Sequence, residues 1–563
     1  MQFLTNFLEI QGRARGGNII SQSFGTGFQV VLEAGVVGPW AAATLVVDGV
    51  VVRRRRVQLD HQHGFRKHHS TVSALAELSD YVTTGLNKKK PVERTVMVCL
   101  DLSKAFDTVN HEQLLQDIFN LDVNDRIKKF LKAYLSGRQS YTVFQDIKSK
   151  SRTIRQGVPQ GGVLSPLLFN IYLSSLPLPP ESSNIEIFSY ADDCSIVNRG
   201  TDIKTACEEL NPYLDKVATW FSDRCLQISA PKSSATVFST WSNDCSTILP
   251  ISIQGKPVPT EKNPKVLGVI FDPLFTFNKH VETLKTKVAK RNNVLKALAG
   301  STWGKSKEVL LNTYKAIGKS VLSYGTQVWS PLISATNWTS LQTQQNHAIR
   351  TITGSTKMSK IEHLHSEAKL LQVKDHCDLL TKQYVATMHH SEHPNHHIAQ
   401  EHHIPPRVMR QTPMLTHKKD LPIINLDPLP SKKILLSTIH TQAVEEAISK
   451  LPPNQVLNAP APEISKDEVK LPRKTRSTLS QLRSSYSPFL QSYMYRINKA
   501  ESDRCPKCLV NEHTTDHLFN CPANPTTLTA RDLWANPIQA AEHLDLPTTE
   551  LEDNMTGEQV DPG

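Results

Sequence analysis

Two strand-like runs in this sequence end in acidic side chains. Residues 95–107 read T-V-M-V-C-L-D-L-S-K-A-F-D, a β-branched, apolar stretch that delivers Asp101 at its end. Further along, F-S-Y-A-D-D-C-S-I-V sets Tyr190-Ala191-Asp192-Asp193 between two apolar flanks, the pattern of a hairpin with an acidic pair at its turn. Such carboxylates can hold two divalent cations, which serve phosphoryl transfer by activating an attacking oxygen and stabilising a leaving one. Asp101 and Asp192 are suited to bridge both ions. Asp193 is expected as an outer or charge-balancing ligand, because neighbours on a strand point to opposite faces.

An Asp-Asp pair by itself is most often an exposed turn, so the segment between the two acidic sites carries much of the reading. It runs R-Q-G-V-P-Q-G-G-V-L-S-P-L-L-F-N-I-Y-L, and Gly157, Gly161 and Gly162 permit close backbone approach before a helix begins near Ser165-Pro166. Free N–H groups at a helix start beside Gly-rich backbone suit a nucleotide or a template strand. A second chemical cluster stands near the end, in C-P-K-C-L-V-N-E-H-T-T-D-H-L-F-N-C-P. Cys505 and Cys508 have the spacing of a tight thiolate turn, while His517 and Cys521 are i and i+4 on one helix face. The four make a closed set of the structural Zn²⁺ type, with His513 as the competing fourth ligand. The histidines between His389 and His403 lack acidic or thiol partners in a set pattern and are read as a solvated loop.

Helical patterns alternate with short β-rich runs from His61 to about Asp272, which gives an α+β layout, and the stretch from Asn278 to about Leu371 is mainly helical. The expected organisation is a leader of foreign, poorly folded composition at 1–58 and an α+β domain at 59–272. After these come a helical region at 273–372, an extended connector with short helices at 373–490, the Cys3His unit at 491–530 and a tail at 531–563, acidic and disordered after Thr548. Sixty-four Lys and Arg against 53 Asp and Glu leave a formal charge of +11, which favours a polyanionic partner such as nucleic acid. The apolar stretch Ala34 to Val47 is broken at Gly38-Pro39 and falls short of the roughly 20 residues a bilayer needs, so no membrane partner is expected. Six of the nine cysteines are scattered singly, which places the chain in a reducing setting inside the cell, nucleus and cytoplasm.

In this order, D-L-S-K-A-F-D, the Gln156 to Pro166 loop and Y-A-D-D resemble the three central palm motifs of retroelement reverse transcriptases, and most closely those of non-LTR, jockey-type elements. The resemblance covers about His61 to Leu544. It implies a right-hand polymerase with partial fingers, palm and helical thumb, followed by a helical connector region and a small zinc knuckle. The activity implied is RNA-directed DNA synthesis from dNTPs on an RNA template, extending a DNA primer or target with two Mg²⁺ ions. Q-H-G-F-R-K-H-H-S-T resembles the fingers segment, where Arg66 would meet a phosphate. Phe106 falls at the family's steric-gate position, Gln160 and Gly161 at the nucleotide and template contacts, and Tyr190 beside the acidic pair. Lys232 matches a lysine that could protonate the departing pyrophosphate, and Leu267-Gly268 the primer grip. Tyr324-Gly325, Trp329 and Gly354 look like the thumb and its following helices, with Lys285, Lys287, Lys290 and Arg291 along a duplex path. Relatives usually carry an endonuclease and further fingers ahead of this point, and residues 1–58 supply neither. A catalytically inactive nucleic-acid-binding remnant is therefore the alternative reading.

Overall fold

The chain divides into two units, one built from residues 1–275 with 390–412 and the other from 276–389 with 413–563. The computed structural model describes residues 61–88, 90–144, 147–300, 304–400 and 415–549, with the backbone of four two-residue strands between Ser23 and Val51. The expected leader, including the run Ala34 to Val47, otherwise lies outside the described residues.

The first unit is organised on one antiparallel sheet. Its strands are β1 (Arg94–Leu100), β2 (Ile185–Tyr190), β3 (Asp193–Gly200) and β4 (Ser234–Phe238), in spatial order β2-β3-β1-β4. β1 is β-branched and buried along most of its length, as a central strand covered on both faces must be. Alternation sends Val96, Val98 and Leu100 into the core made with helices α2 (His111–Asn120), α3 (Asp125–Leu135), α4 (Ser165–Leu173) and α5 (Ile203–Asp223). The opposite face is covered by α1 (Thr71–Asn87), which Ser70 and Ser73 cap reciprocally and whose Tyr81 ring meets Phe188 of β2 edge-on at 5.8 Å. The hairpin of β5 (Lys265–Val266) and β6 (Val269–Ile270) follows.

Register fixes what sits at the functional end of this sheet. Cys194 pairs with Leu100, so Asp193 and Asp101 come one step beyond that pair, side by side on neighbouring strands. Ser234 pairs with Cys99 on the other side of β1 and brings the residues just before it, Lys232 and Ser233, to the same end. The acidic pair and the strand-borne aspartate, 91 positions apart in the chain, thus meet through ladder hydrogen bonds alone.

Among the described residues the regular elements of the second unit are helices. α6 (Asn278–Leu298), α7 (Lys307–Tyr314), α8 (Ala335–Thr353) and α9 (Ile361–Ala368) share a core of Leu295, Leu310, Tyr314, Ala348, Ile349, Ile352 and Leu364. Where an extended connector with short helices is expected, α10 (Val373–Met388) and α11 (Lys432–Ser449) are 16 and 18 residues long and pack on each other. Residues 390–400 leave that segment for the first unit. Asn395 is fully buried there and donates Nδ2 to Ser73 O at 3.2 Å, so part of the histidine-rich run is docked rather than solvated.

Two further expectations are corrected. Residues 491–530 do not stand apart, because α12 (Arg473–Arg483), α13 (Gln491–Arg496), α14 (Thr515–Asn520) and α15 (Pro537–His543) bury one common core that includes Leu479, Leu482, Tyr493, Phe519, Leu533 and Trp534. For the same reason 531–549 is not a tail: its apolar Leu533, Trp534, Ala540 and Ala541 need that core to hide in. The acidic stretch after Thr548 lies almost wholly outside the described residues.

Candidate active site and metal cluster

Ala191 and Asp192 form the tight connection between β2 and β3, and Ala191 takes a left-handed φ of 57°. A non-glycine residue rarely holds that conformation unless its surroundings insist. Gln62 supplies the constraint. Its buried side chain accepts from Ala191 N at 2.8 Å and Gly64 N at 2.7 Å through Oε1, and donates Nε2 to Ala191 O at 3.1 Å. The backbones join as well, with Ser189 O accepting from His63 N at 2.8 Å and His61 O from Ser189 N at 2.9 Å. Gly64 must remain glycine for this approach, since a Cβ there would lie 2.4 Å from Ala191 N. Asn170 of α4 closes the assembly by donating to Gly64 O at 2.9 Å.

Within this frame the three aspartates converge electrostatically. Partial desolvation pushes the Asp193 carboxyl above the usual carboxylate range, Asp192 and Asp101 add to the push, and Lys265 opposes it. Asp101 is held through its backbone, its N–H donating to Ser233 Oγ at 3.1 Å and its carbonyl accepting from Ser229 N at 2.9 Å. Its carboxylate is one of the charges that push Asp193 up. Three gathered anions with a single lysine named against Asp193 suit hard divalent cations, whose preferred ligands are carboxylate oxygens.

The hairpin carrying Lys265 turns at Leu267 (φ 44°) and Gly268 (φ 90°), the two positive φ values of a type I′ connection. Val266 and Leu267 share a crevice of about 10 Å³ with Tyr190 and Asp193, so this hairpin tip lies against the acidic turn. Lys232 is exposed beside the same sheet end, its N–H donating to Ser229 O at 3.0 Å.

On the nucleotide side, Phe106 is half-buried, stacked on Phe169 of α4 at 4.2 Å and edge-on to Phe65 at 6.3 Å. The Gly-rich loop packs on the same segment. Val158 N donates to Phe106 O at 2.8 Å and Gly157 N to Val109 O at 2.7 Å, and a Cβ on Gly157 would meet Asp107 O at 2.7 Å. Gln160 is exposed and donates to Asp107 Oδ1 at 3.0 Å, while Gly161 (φ 86°) faces open space. The following helix starts one residue earlier than a serine cap would have it. Leu164 is the N-cap, and the Ser165 hydroxyl donates to Pro159 O instead, tying helix to loop. Arg66 folds back, donating Nη1 to Gln62 O at 2.8 Å.

Residues 51–271 match the family model described as reverse transcriptase (RNA-dependent DNA polymerase). This part of the chain is a reverse transcriptase domain. Its relatives include the probable RNA-directed DNA polymerase from transposon BS of Drosophila melanogaster, 27% identical over 61% of this chain and 38% of that protein. Another is the RNA-directed DNA polymerase from mobile element jockey of the same species, 25% identical over 59% of this chain and 36% of that protein. The chain therefore spans less than two-fifths of the length of these relatives. Among solved structures, Candida tropicalis telomerase aligns at 12% identity and a TM-score of 0.31, covering 62% of this chain and 54% of that one.

Outside the reverse transcriptase domain, Cys505, Cys508, His517 and Cys521 bring their ligand atoms within 4.8 Å of one another. Cys505 Sγ and Cys521 Sγ are 3.8 Å apart, and Cys508 Sγ lies 3.4 Å from His517 Nε2. Tetrahedral zinc with bonds of about 2.3 Å to sulfur and 2.0–2.1 Å to nitrogen spaces such atoms by about 3.8 and 3.5 Å, so the set fits that ion. Backbone N–H groups of Asn511 and Val510 draw the Cys508 thiol down to about 6, toward the thiolate a metal binds. His513 takes a different part. Its Nδ1 accepts from Gln491 N at 3.1 Å and its carbonyl from Ser492 Oγ at 2.8 Å, so it anchors α13. Among the described residues no helix is long and apolar enough to cross a membrane.

Gln62, Gly64 and Lys265 are the functional positions that sequence reasoning did not single out. The motif Q-H-G-F-R contained the first two, but spacing along the chain carries no sign that they close on a turn about 130 residues away.

Proposed function

We propose that this chain is the RNA-directed DNA polymerase of a non-LTR retrotransposon, adding dNTPs to a DNA 3′ end along an RNA template. The observation that carries the reading is the register that sets Asp101 beside Asp193 at the tip of a Gln62-clamped acidic turn. Asp101 and Asp192 would hold two Mg²⁺ ions, with Asp193 balancing charge behind them. When bound, those ions supply activation of the attacking 3′-oxygen and charge stabilisation of the leaving pyrophosphate.

The chain's own residues supply position. Phe106, fixed by its stack on Phe169, presents a rigid edge to the sugar and would exclude a 2′-hydroxyl by contact. Gln160 and Gly161 border the incoming nucleotide and template base, and Arg66 meets a phosphate. Lys232, exposed at the sheet end, can donate a proton to the departing pyrophosphate. Leu267-Gly268 would seat the primer end beside Tyr190. Helices of residues 276–389 take the thumb's role, with Lys285, Lys287 and Lys290 exposed along α6. Cys505, Cys508, His517 and Cys521 would hold a structural Zn²⁺.

Primer extension on an RNA template tests the centre: wild type incorporates dNTPs and Asp192→Asn does so far more slowly, while equal incorporation by both would discard the assignment. Wild-type binding of RNA without any incorporation would instead favour the inactive remnant. Zinc is tested by metal content of the purified chain and by Co²⁺ substitution, where a thiolate charge-transfer band is expected from wild type and a diminished one from Cys508→Ser.

A further inference from the structure

The second unit contains a groove that none of these roles uses. Lys296 near the end of α6, Arg350 in the last turn of α8, and Arg473 and Lys474 at the start of α12 line one cavity of about 450 Å³. Among the described residues no Asp or Glu lines it. The rest of its polar wall includes Ser477, Thr478 and Gln481, which follow Arg473 and Lys474 at intervals of four residues and so share one face of α12.

That face differs from the rest of the same helix. Arg476 and Arg483 point their guanidinium groups at carboxylates, Arg476 at Glu308 and Arg483 at Glu367 and Glu468. For Arg350 and Arg473 the hydrogen bonds go to carbonyls. Arg350 Nη2 donates to Ser359 O at 3.4 Å, its Nε is buried without a hydrogen-bond partner, and Arg473 donates to Thr351 O at 2.8 Å and Ile352 O at 3.2 Å. Burial pulls both guanidinium groups below their ordinary values, with Arg476 adding to the effect at Arg473 and no carboxylate opposing it. Those bonds also occupy carbonyls at the end of α8, which would otherwise repel an anion, and the N-terminus of α12 contributes positive potential. Gly354 lets the two helices meet this closely. It has a φ of 73°, and a Cβ there would lie 2.3 Å from Ser477 Oγ.

A groove whose described lining holds two half-buried guanidinium groups, two exposed lysines, several hydroxyls and no acid suits an anion carrying many acceptor oxygens. Its volume lies in the range of ligand sites and exceeds what one inorganic phosphate fills. Among the described residues no aromatic ring lines it, so what they offer is charge and hydroxyl donors for a backbone rather than a platform for bases. We propose that this groove is a second nucleic-acid site, which grips consecutive backbone phosphates of single-stranded RNA or DNA by charge and does not read bases. The choice of polyanion rests on the polymerase reading above, and the groove itself does not depend on the carboxylate centre.

The test measures fluorescence anisotropy of labelled oligo(U) and oligo(dT) with the full chain across ~50 to ~200 mM salt. Lys296→Gln with Lys474→Gln changes two exposed side chains and should weaken both oligonucleotides about tenfold at low salt. It should also flatten the plot of log affinity against log salt by roughly 0.7 per lost phosphate contact. Adding Arg350→Gln deepens both effects, and the Lys→Arg pair at 296 and 474 restores them. Lys432→Gln with Lys433→Gln removes equal charge from exposed positions of α11 and should leave the slope unchanged. The proposal is overturned if the groove pair binds like wild type, if the α11 pair weakens binding equally, or if wild type binds neither oligonucleotide. Primer extension by the same proteins keeps the two claims separate: wild-type extension with unaltered binding by the groove variants removes the groove and leaves the polymerase.

Discussion

At the tip of the β2–β3 hairpin, Asp193 stands against Asp192 and Asp101 with Lys265 opposing, and its carboxyl is pushed up. In the second unit Glu367 is buried with Lys307 at 2.8 Å and Arg483 at 3.0 Å. Burial would raise its carboxyl, but the two cations outweigh that and hold it well below the usual range. Glu468 meets the same fully buried Arg483, which also donates Nε to Leu533 O at 3.0 Å. Asp193 and Glu367 therefore depart from ordinary behaviour in opposite directions. Paired carboxylates are satisfied within the chain and knit helices together, whereas the gathered aspartates are left with charge that only something from outside can neutralise.

The contrast can be broken at either end. Arg483→Met removes the guanidinium shared by buried Glu367 and Glu468, leaving Lys307 as the nearest cation to Glu367, and should cost about 3–5 kcal/mol, read by urea denaturation. A loss below about 1 kcal/mol would show that the network adds little. Asp192→Asn should do the reverse, reducing dNTP incorporation roughly 10²–10³-fold with an unchanged melting temperature. Gly64→Ala probes the clamp behind the acidic turn. The new Cβ collides with Ala191 N, so about 1–3 kcal/mol of stability and part of the primer-extension rate should be lost together.

The smallest effects carry the sign of the comparison. Burial would raise Glu308, but hydrogen bonds from Arg476 hold it down to about 2. Its ionised form stabilises the fold above the unfolded value of about 4.3, and that contribution fades as pH falls toward 2, so Glu308→Gln should destabilise at pH 7 and progressively less in acid. Asp193 is raised, so its ionisation costs stability as pH rises. Without added metal, Asp193→Asn should stabilise at pH 7, an advantage that disappears below about pH 3.9. Both side chains reach solvent, so each difference should stay under about 1 kcal/mol in thermal melts. Shifts of the same sign in the two variants would contradict the distinction.

Much of the fold was legible because local signals were strong. The β-rich runs Thr95 to Leu100, Glu186 to Ser189, Ser195 to Asn198 and Thr236 to Ser239 lie within two residues of the ends of β1 through β4, and the amphipathic spacing of Val281, Leu284, Val288 and Leu295 marked α6. Proline and basic residues misled between 373 and 490. α10 and α11 have weak apolar periodicity, and their helices are fixed by packing against each other rather than by their own pattern. Residues 390–400 gave no sign of joining the first unit, since the burial of Asn395 depends on Ser73, more than 300 positions away.

By itself the sequence determined the chemistry-bearing atoms: Asp101 at a strand end, Asp192-Asp193 at a turn, and the two halves of the Cys505, Cys508, His517 and Cys521 set. Each rests on residues within one turn or one strand, where spacing along the chain is spacing in space. Only the tertiary structure decided that Gln62 and Gly64 hold the acidic turn, that Arg483 answers two buried glutamates, and that Arg350 and Arg473 line one groove. Those pairings join positions from 15 to about 130 residues apart through burial and close packing, and neither leaves a periodic mark in the chain.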